Sequence, residues 1–144
     1  MLRSFDPAAH RETLRRFLDE DVGRGDITTL AIVPPDREAV GSVVAKAPLV
    51  LAGIDTAIEV FKLLDAHLDI QILHRDGEHV GAGREAARVR GLARALLTGE
   101  RVALNLLQRM SGIATLTRRF VDAVNGTQAK ILDTRKTTPG LRAF

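Results

Sequence analysis

Apolar positions along the 144-residue chain change period several times, and each change marks an element. Leu14, Phe17, Leu18 and Val22 recur at helical spacing behind Asp6 and Pro7, which read as an N-cap and first helical position. Gly23, Arg24, Gly25, Asp26, Thr28 and Thr29 make a polar loop, and Pro34-Pro35 separates that loop from the next element. Residues 39–46, rich in valine and small side chains, read as a strand that Pro48 separates from a second short apolar stretch at 49–52. From Asp55 the period returns to that of a helix, with Ala57, Ile58, Phe61, Leu63 and Leu64 on its apolar side and an end near residue 66. Alternation resumes at Leu68, Ile70 and Ile72, and Asp76-Gly77 is the strongest short hairpin signal, predicting a β-hairpin closed by residues 78–80.

Across residues 86–95, Arg88, Arg90 and Arg94 alternate with Val89, Gly91, Ala93 and Ala95, which predicts a strand with its arginines on one face. Thr98 and Gly99 open a helix that gathers Val102, Ala103, Leu106, Leu107 and Met110 on one side, broken or bent at Ser111-Gly112, with a second helix running to about residue 124. Asn125-Gly126 turns the chain into a short apolar strand at 129–132, which delivers Asp133 to Thr138 at its carboxyl end before Pro139-Gly140 closes the segment. The order is an α+β module, then helices, then one strand that begins an α/β layer. No internal repeat or low-complexity segment interrupts it.

Composition narrows the function classes. With 45% hydrophobic and 27% charged residues in 15.7 kDa, the chain has the balance of one folded globular domain with room for little more. There is no cysteine, which removes disulfides and thiolate metal sites. Residues 1–10 lack the basic start and apolar run of a signal peptide, and no stretch approaches the ~20 apolar residues of a membrane span, so a cytoplasmic location is expected. Net charge is +3 but unevenly placed: residues 1–72 carry 8 basic and 12 acidic groups and residues 73–144 carry 13 and 6, leaving halves of −4 and +7. A basic second half in which arginine dominates suits an anionic partner bound through planar, two-pronged contacts. With 5 Phe, no Tyr and no Trp, the chain lacks the stacking platforms of single-strand binders, and nucleic acid becomes the weaker candidate.

Three places carry candidate chemistry. Arg135, Lys136, Thr137 and Thr138 stand at the end of the apolar stretch 129–132, where α/β folds bind ligands, and two cations with two hydroxyls suit an anion with several oxygens. On spacing alone a solvated turn accounts for the same residues. Arg101 is expected in the first turn of its helix, where the helix dipole opposes a cation and a bound anion would offset it. Asn105 and Arg109 come after it at four-residue steps, a polar stripe that solvation alone would also explain. Asp19, Glu20 and Asp21 crowd the carboxyl end of the first helix, where the dipole disfavours them, so a cation is expected nearby. His74, Asp76, Glu78 and His79 are adjacent across a turn rather than convergent, and Gly81, Gly83 and Ala86 mimic a dinucleotide fingerprint that leads into a strand and not a helix. Neither is assigned a ligand.

At these same places the chain resembles the quinolinate phosphoribosyltransferase family. The resemblance lies in Glu20-Asp21 with Gly25-Asp26-Ile27-Thr28-Thr29, in Gly99-Glu100-Arg101-Val102-Ala103-Leu104-Asn105 running into Gln108-Arg109-Met110-Ser111-Gly112-Ile113-Ala114-Thr115, and in Asp133-Thr134-Arg135-Lys136-Thr137-Thr138-Pro139-Gly140-Leu141-Arg142. A related molybdenum-transport-associated family shares part of the last block, but the form TRKTTPGLR favours quinolinate. The resemblance implies an N-terminal open α/β sandwich over residues 1–109 and the start of an α/β barrel over 110–144. It implies a homodimer with its active site between subunits, Arg101 reaching the neighbour's site. It also implies transfer of a phosphoribosyl group from phosphoribosyl pyrophosphate, accompanied by magnesium, to quinolinate, with nicotinate mononucleotide, pyrophosphate and carbon dioxide as products. Arg101, Arg135, Lys136 and Thr137 are then substrate-binding residues. The family's chain runs on roughly as long again, so this chain is expected to stop before its site is complete and to be inactive alone. A catalytically silent dimerising or binding module is the alternative from another class.

Overall fold

A computed structural model describes residues 6–144, and residues 1–5, at the amino terminus where no signal peptide is expected, lie outside the described residues. Asp6 caps the first turn among the described residues as its sequence predicts, its Oδ1 accepting from the Ala8 amide at 3.0 Å. A 3₁₀ turn over Pro7–His10 continues into α1 (Arg11–Val22). The polar stretch after α1 is not only loop: α2 (Ile27–Ile32) begins at Asp26, whose Oδ1 accepts from the Thr29 amide at 3.0 Å and whose Oδ2 accepts from the Thr29 hydroxyl at 2.6 Å. An aspartate with a threonine three residues on is an N-cap signal, and the neighbouring glycines masked it.

Three strands, β1 (Glu38–Val44), β3 (Asp69–Ile72) and β5 (Glu85–Leu92), form an antiparallel sheet in the order β1-β5-β3. Its register stacks Gly41, Val89 and Ile70 on one face and Ser42, Arg88 and Gln71 on the other. One extra residue in β5 shifts the pairing between Val43 and Val44, which lets the adjacent Ala86 and Ala87 both be buried. Arg88 and Arg90 stay together on the open face, as alternation predicts. Two-residue strands β2 (Leu49–Val50) and β4 (His79–Val80) pair with each other. The hairpin predicted at Asp76-Gly77 is therefore not formed between β3 and β4: residues 78–80 run back along β2, and the Leu51 amide donates to the Glu78 carbonyl at 2.9 Å.

Helices cover one face of the sheet. These are α3 (Ile54–Leu64) and α4 (Ala93–Ala123), with α1 packed against both. Leu14 and Leu18 from α1, Ile58, Val60 and Phe61 from α3, Val89 from β5, and Val102, Ala103, Leu106 and Leu107 from α4 form one buried cluster. Burying a side chain of this size contributes roughly 1.5–3 kcal/mol, so these contacts dominate the fold's stability. The result is an α+β open sandwich, a sheet with helices on one side and its arginine face bare.

Two sequence expectations change at α4. The strand ends at Leu92 rather than 95, and Arg94 belongs to the helix, where its Nε donates to the Val33 carbonyl at 2.8 Å and its Nη2 to the Leu30 carbonyl at 3.2 Å, closing the end of α2. The break at Ser111-Gly112 does not occur. Ser111 Oγ accepts from the Ala52 amide at 3.0 Å and donates to the Ala52 carbonyl at 3.1 Å, so the serine serves the backbone just after β2 and leaves the helix unbroken. One turn on, Thr115 Oγ1 accepts from the Val50 amide at 2.9 Å and donates to the Ser111 carbonyl at 2.6 Å. Residues 129–132 form no strand, because a strand needs a hydrogen-bonded neighbour and none of the described strands runs beside them. No helix among the described residues is long and apolar enough to cross a membrane.

Candidate substrate-binding site

Helix α4 sets the site out along one line. Arg101, Asn105 and Arg109 fall four residues apart on its exposed side, while Val102, Ala103, Leu106 and Leu107 anchor the opposite side in the core. Because α4 starts at Ala93, Arg101 lies in its third turn and not its first, so the dipole penalty expected from the sequence is absent. A different charge holds it. Arg101 Nε donates to Asp21 Oδ1 at 3.1 Å and Oδ2 at 3.0 Å, and Nη2 lies 2.9 Å from Oδ2. This is the cation expected beside the acidic end of α1. The Asp21 carboxylate raises the already high pKa of Arg101. Asp26 lies close enough to feel the same guanidinium, although its pKa is lowered first by the Thr29 hydroxyl and amide.

Beyond α4 the chain folds back. Arg109 Nη2 donates to the Thr138 hydroxyl, and Phe17, Asp21, Asn105, Leu106, Thr138 and Pro139 line a groove of about 480 Å³ between the two helices and the returning segment. That segment is built from tight local bonds. The Lys136 amide donates to Thr134 Oγ1 at 3.2 Å, the Thr137 amide to the Arg135 carbonyl at 3.0 Å, and Arg142 Nη1 to the same carbonyl at 3.0 Å. Arg135, Lys136 and Thr137 are exposed. Among the described residues their side chains make no hydrogen bond or ion pair with Arg101.

The structure thus brings together the blocks that carry the candidate residues, through Arg109 and Thr138, without bringing Arg101 against Arg135 or Lys136. Sequence reading missed Asp21 as the partner of Arg101. Its signal was the surplus of carboxylates at the end of α1, which foretold a cation without saying which. Among the described residues no group of three or more His, Asp or Glu side chains converges as a metal site. Asp76, one of the adjacent acidic groups at 74–79, is instead engaged by backbone: its two oxygens accept from the Gly53 and Ile54 amides at 2.8 and 3.0 Å.

Comparison with known proteins places this arrangement. Residues 26–111 match the family described as quinolinate phosphoribosyl transferase, N-terminal domain, and residues 113–144 match the C-terminal domain of the same family. The chain belongs to the quinolinate phosphoribosyltransferase family. A nicotinate-nucleotide pyrophosphorylase [carboxylating] of Mycobacterium leprae is 48% identical over 147 aligned residues, covering 100% of this chain and 52% of that protein. A chloroplastic protein of the same description from Oryza sativa subsp. japonica is 44% identical, covering 94% of this chain and 38% of its own length. The crystal structure of NadC from Streptococcus pyogenes superposes with a TM-score of 0.93 at 41% identity, over 99% of this chain and 51% of that one. The chain spans about half the length of the relatives it matches. Within the quinolinate phosphoribosyltransferase frame, Arg101, Asn105 and Arg109 fall in the N-terminal-domain match and Arg135 to Thr138 in the C-terminal-domain match, so the Arg109–Thr138 bond joins the two.

Proposed function

We propose that this chain serves a phosphoribosyl transfer coupled to decarboxylation, in which the ring nitrogen of quinolinate attacks the anomeric carbon of phosphoribosyl pyrophosphate, pyrophosphate leaves, and the 2-carboxylate departs as carbon dioxide, a proton from water taking its place at C2, to give nicotinate mononucleotide. The observation that carries the reading is the bond from Arg109 to Thr138, which ties the helix bearing Arg101 to the segment bearing Arg135, Lys136 and Thr137. Quinolinate is a dianion, and planar guanidinium groups with a mobile ammonium are suited to its two carboxylates, with the Thr137 hydroxyl as a further donor. All four residues bind substrate in this reading, and none moves a proton. Arg101 completes the site of a neighbouring subunit in a homodimer, the division between sandwich and barrel falls at 109/110, and the reaction runs in the cytoplasm. Magnesium enters as the counter-ion of the pyrophosphate, part of the substrate. The described residues offer no converging carboxylate set to hold it independently.

Calorimetric titration of quinolinate into the protein and its Arg101→Ala, Arg135→Ala and Lys136→Ala variants tests the assignment. Each loss of a charge-assisted contact is expected to weaken binding by roughly ten- to a hundredfold, from ~1.5–3 kcal/mol per contact to a charged group. Variants that bind as well as the parent would overturn it. No formation of nicotinate mononucleotide is expected from the 144-residue polypeptide alone, because Arg135, Lys136 and Thr137 stand exposed with nothing among the described residues closing over them. A second reading, a silent dimerising or binding module, is favoured by the sandwich core being fully formed while residues 125–140 lie at the surface. Self-association without quinolinate binding would select it.

A further inference from the structure

Resting on that reading of Arg101, we infer that Asp21 is a positioning residue: it fixes the plane of the Arg101 guanidinium and leaves the guanidinium's outer edge for an incoming carboxylate. An arginine has two edges able to take two oxygens, one formed by Nε with Nη2 and one by Nη1 with Nη2. Asp21 occupies the first, with contacts of 3.1, 3.0 and 2.9 Å. No described side chain occupies the second. The side chain of Asp21 is 23% exposed and that of Arg101 59%, so the anchor is the more buried partner and the presented group the more open one. Both sit on helices that share the core, Asp21 in the last turn of α1 and Arg101 in the third turn of α4. A short aspartate has little freedom to lose, whereas an unheld arginine would have to be ordered each time a ligand bound.

Charge and positioning predict opposite signs, which makes the inference testable. Asp21 is an anion next to the place where a second anion is to bind. If charge alone mattered, neutralising it would tighten binding. If it acts by holding Arg101, neutralising it loosens binding.

The test titrates quinolinate into the full chain and into Asp21→Asn and Asp21→Glu by calorimetry, alongside ¹⁵N spectra of the arginine Nε–H groups. The Asn variant is expected to bind about three- to tenfold more weakly, the cost of ordering one long side chain on binding. The Glu variant should recover part of that loss. The Arg101 Nε–H should exchange faster with water in the Asn variant. In an Arg101→Lys background, where no fork exists to be oriented, Asp21→Asn should weaken binding no further. Equal or tighter binding by the Asn variant, or an Arg101 signal indifferent to it, overturns the inference while leaving the substrate reading intact. A parent chain that keeps a protected Arg101 Nε–H yet binds no quinolinate sinks the substrate reading, and the positioning role with it.

Discussion

Gly53 has φ of 90° and is the N-cap of α3, yet has no side chain with which to cap. Asp76 supplies the missing group, accepting from the Gly53 and Ile54 amides. Gly53 is needed for the left-handed turn itself: a Cβ there would meet Met110 Cε at 2.1 Å, but that is the end of a flexible side chain, and the backbone conformation is the harder constraint. Gly53→Ala is expected to cost ~1–2 kcal/mol from the left-handed backbone. Asp76→Ala is expected to cost ~1–2 kcal/mol as the loss of a helix cap. Urea unfolding of both variants measures this, and shortening Met110 alongside Gly53→Ala should restore little if backbone strain is the cause. Asp76-Gly77 shows where sequence reading reaches its limit. The dipeptide does make a turn, with Gly77 at φ 88°, but the aspartate's role is set by a helix start 22 residues away, which no local pattern reveals.

Among the elements, the passage from β5 to α4 decides where Arg101 lands. The sequence showed a strand of alternating arginines and an amphipathic helix, and both exist. It misplaced their junction because Arg94 and Ala95 satisfy period two as well as the first turn of a helix. What ends the strand at Leu92 is tertiary: Asp65 Oδ2 accepts from the Leu92 amide at 3.1 Å and Oδ1 from the His67 amide at 2.8 Å. Those two amides, Leu92 first, lower the Asp65 pKa below its ordinary 3.8. Linkage sets the sign. The contribution of Asp65 is fully present above its unfolded-state value and is lost as pH falls through the lower, folded one. Asp65→Asn is expected to cost about 1 kcal/mol, a typical net hydrogen-bond contribution. The stability difference between parent and variant, measured by urea unfolding at a series of pH values, should be flat at neutral pH and shrink only below pH 3.8. A difference that instead vanished near pH 6 would point to a histidine and away from Asp65.

For the whole molecule, the family could be read from contiguous blocks, since residues 99–115 and 133–142 carry their identity in sequence order whatever the surrounding structure does. The strand expected at 129–132 could not be settled that way, because strand structure belongs to a pair and not to a segment. Helix α4 leaves a related surface open. Its last three turns carry Ile113, Leu116 and Phe120 at 58, 54 and 55% exposure, and Leu132 nearby in sequence is 81% exposed. Spacing of three and four residues puts the first three on one stripe. A stripe of this kind on a 15.7 kDa chain is expected to drive reversible self-association, visible in sedimentation velocity as a coefficient that rises with concentration. Replacing Leu116 and Phe120 together by glutamate should abolish the concentration-dependent rise without lowering the melting temperature, because neither side chain belongs to the buried cluster. Salt separates the causes. Association through the apolar stripe should persist or strengthen in sodium sulfate, whereas pairing between the acidic first half of one chain and the basic second half of another should weaken as the Debye length contracts to about 3 Å near 1 M ionic strength. Loss of association in salt, with the double glutamate variant still associating, would move the contact off α4 and onto the charged halves.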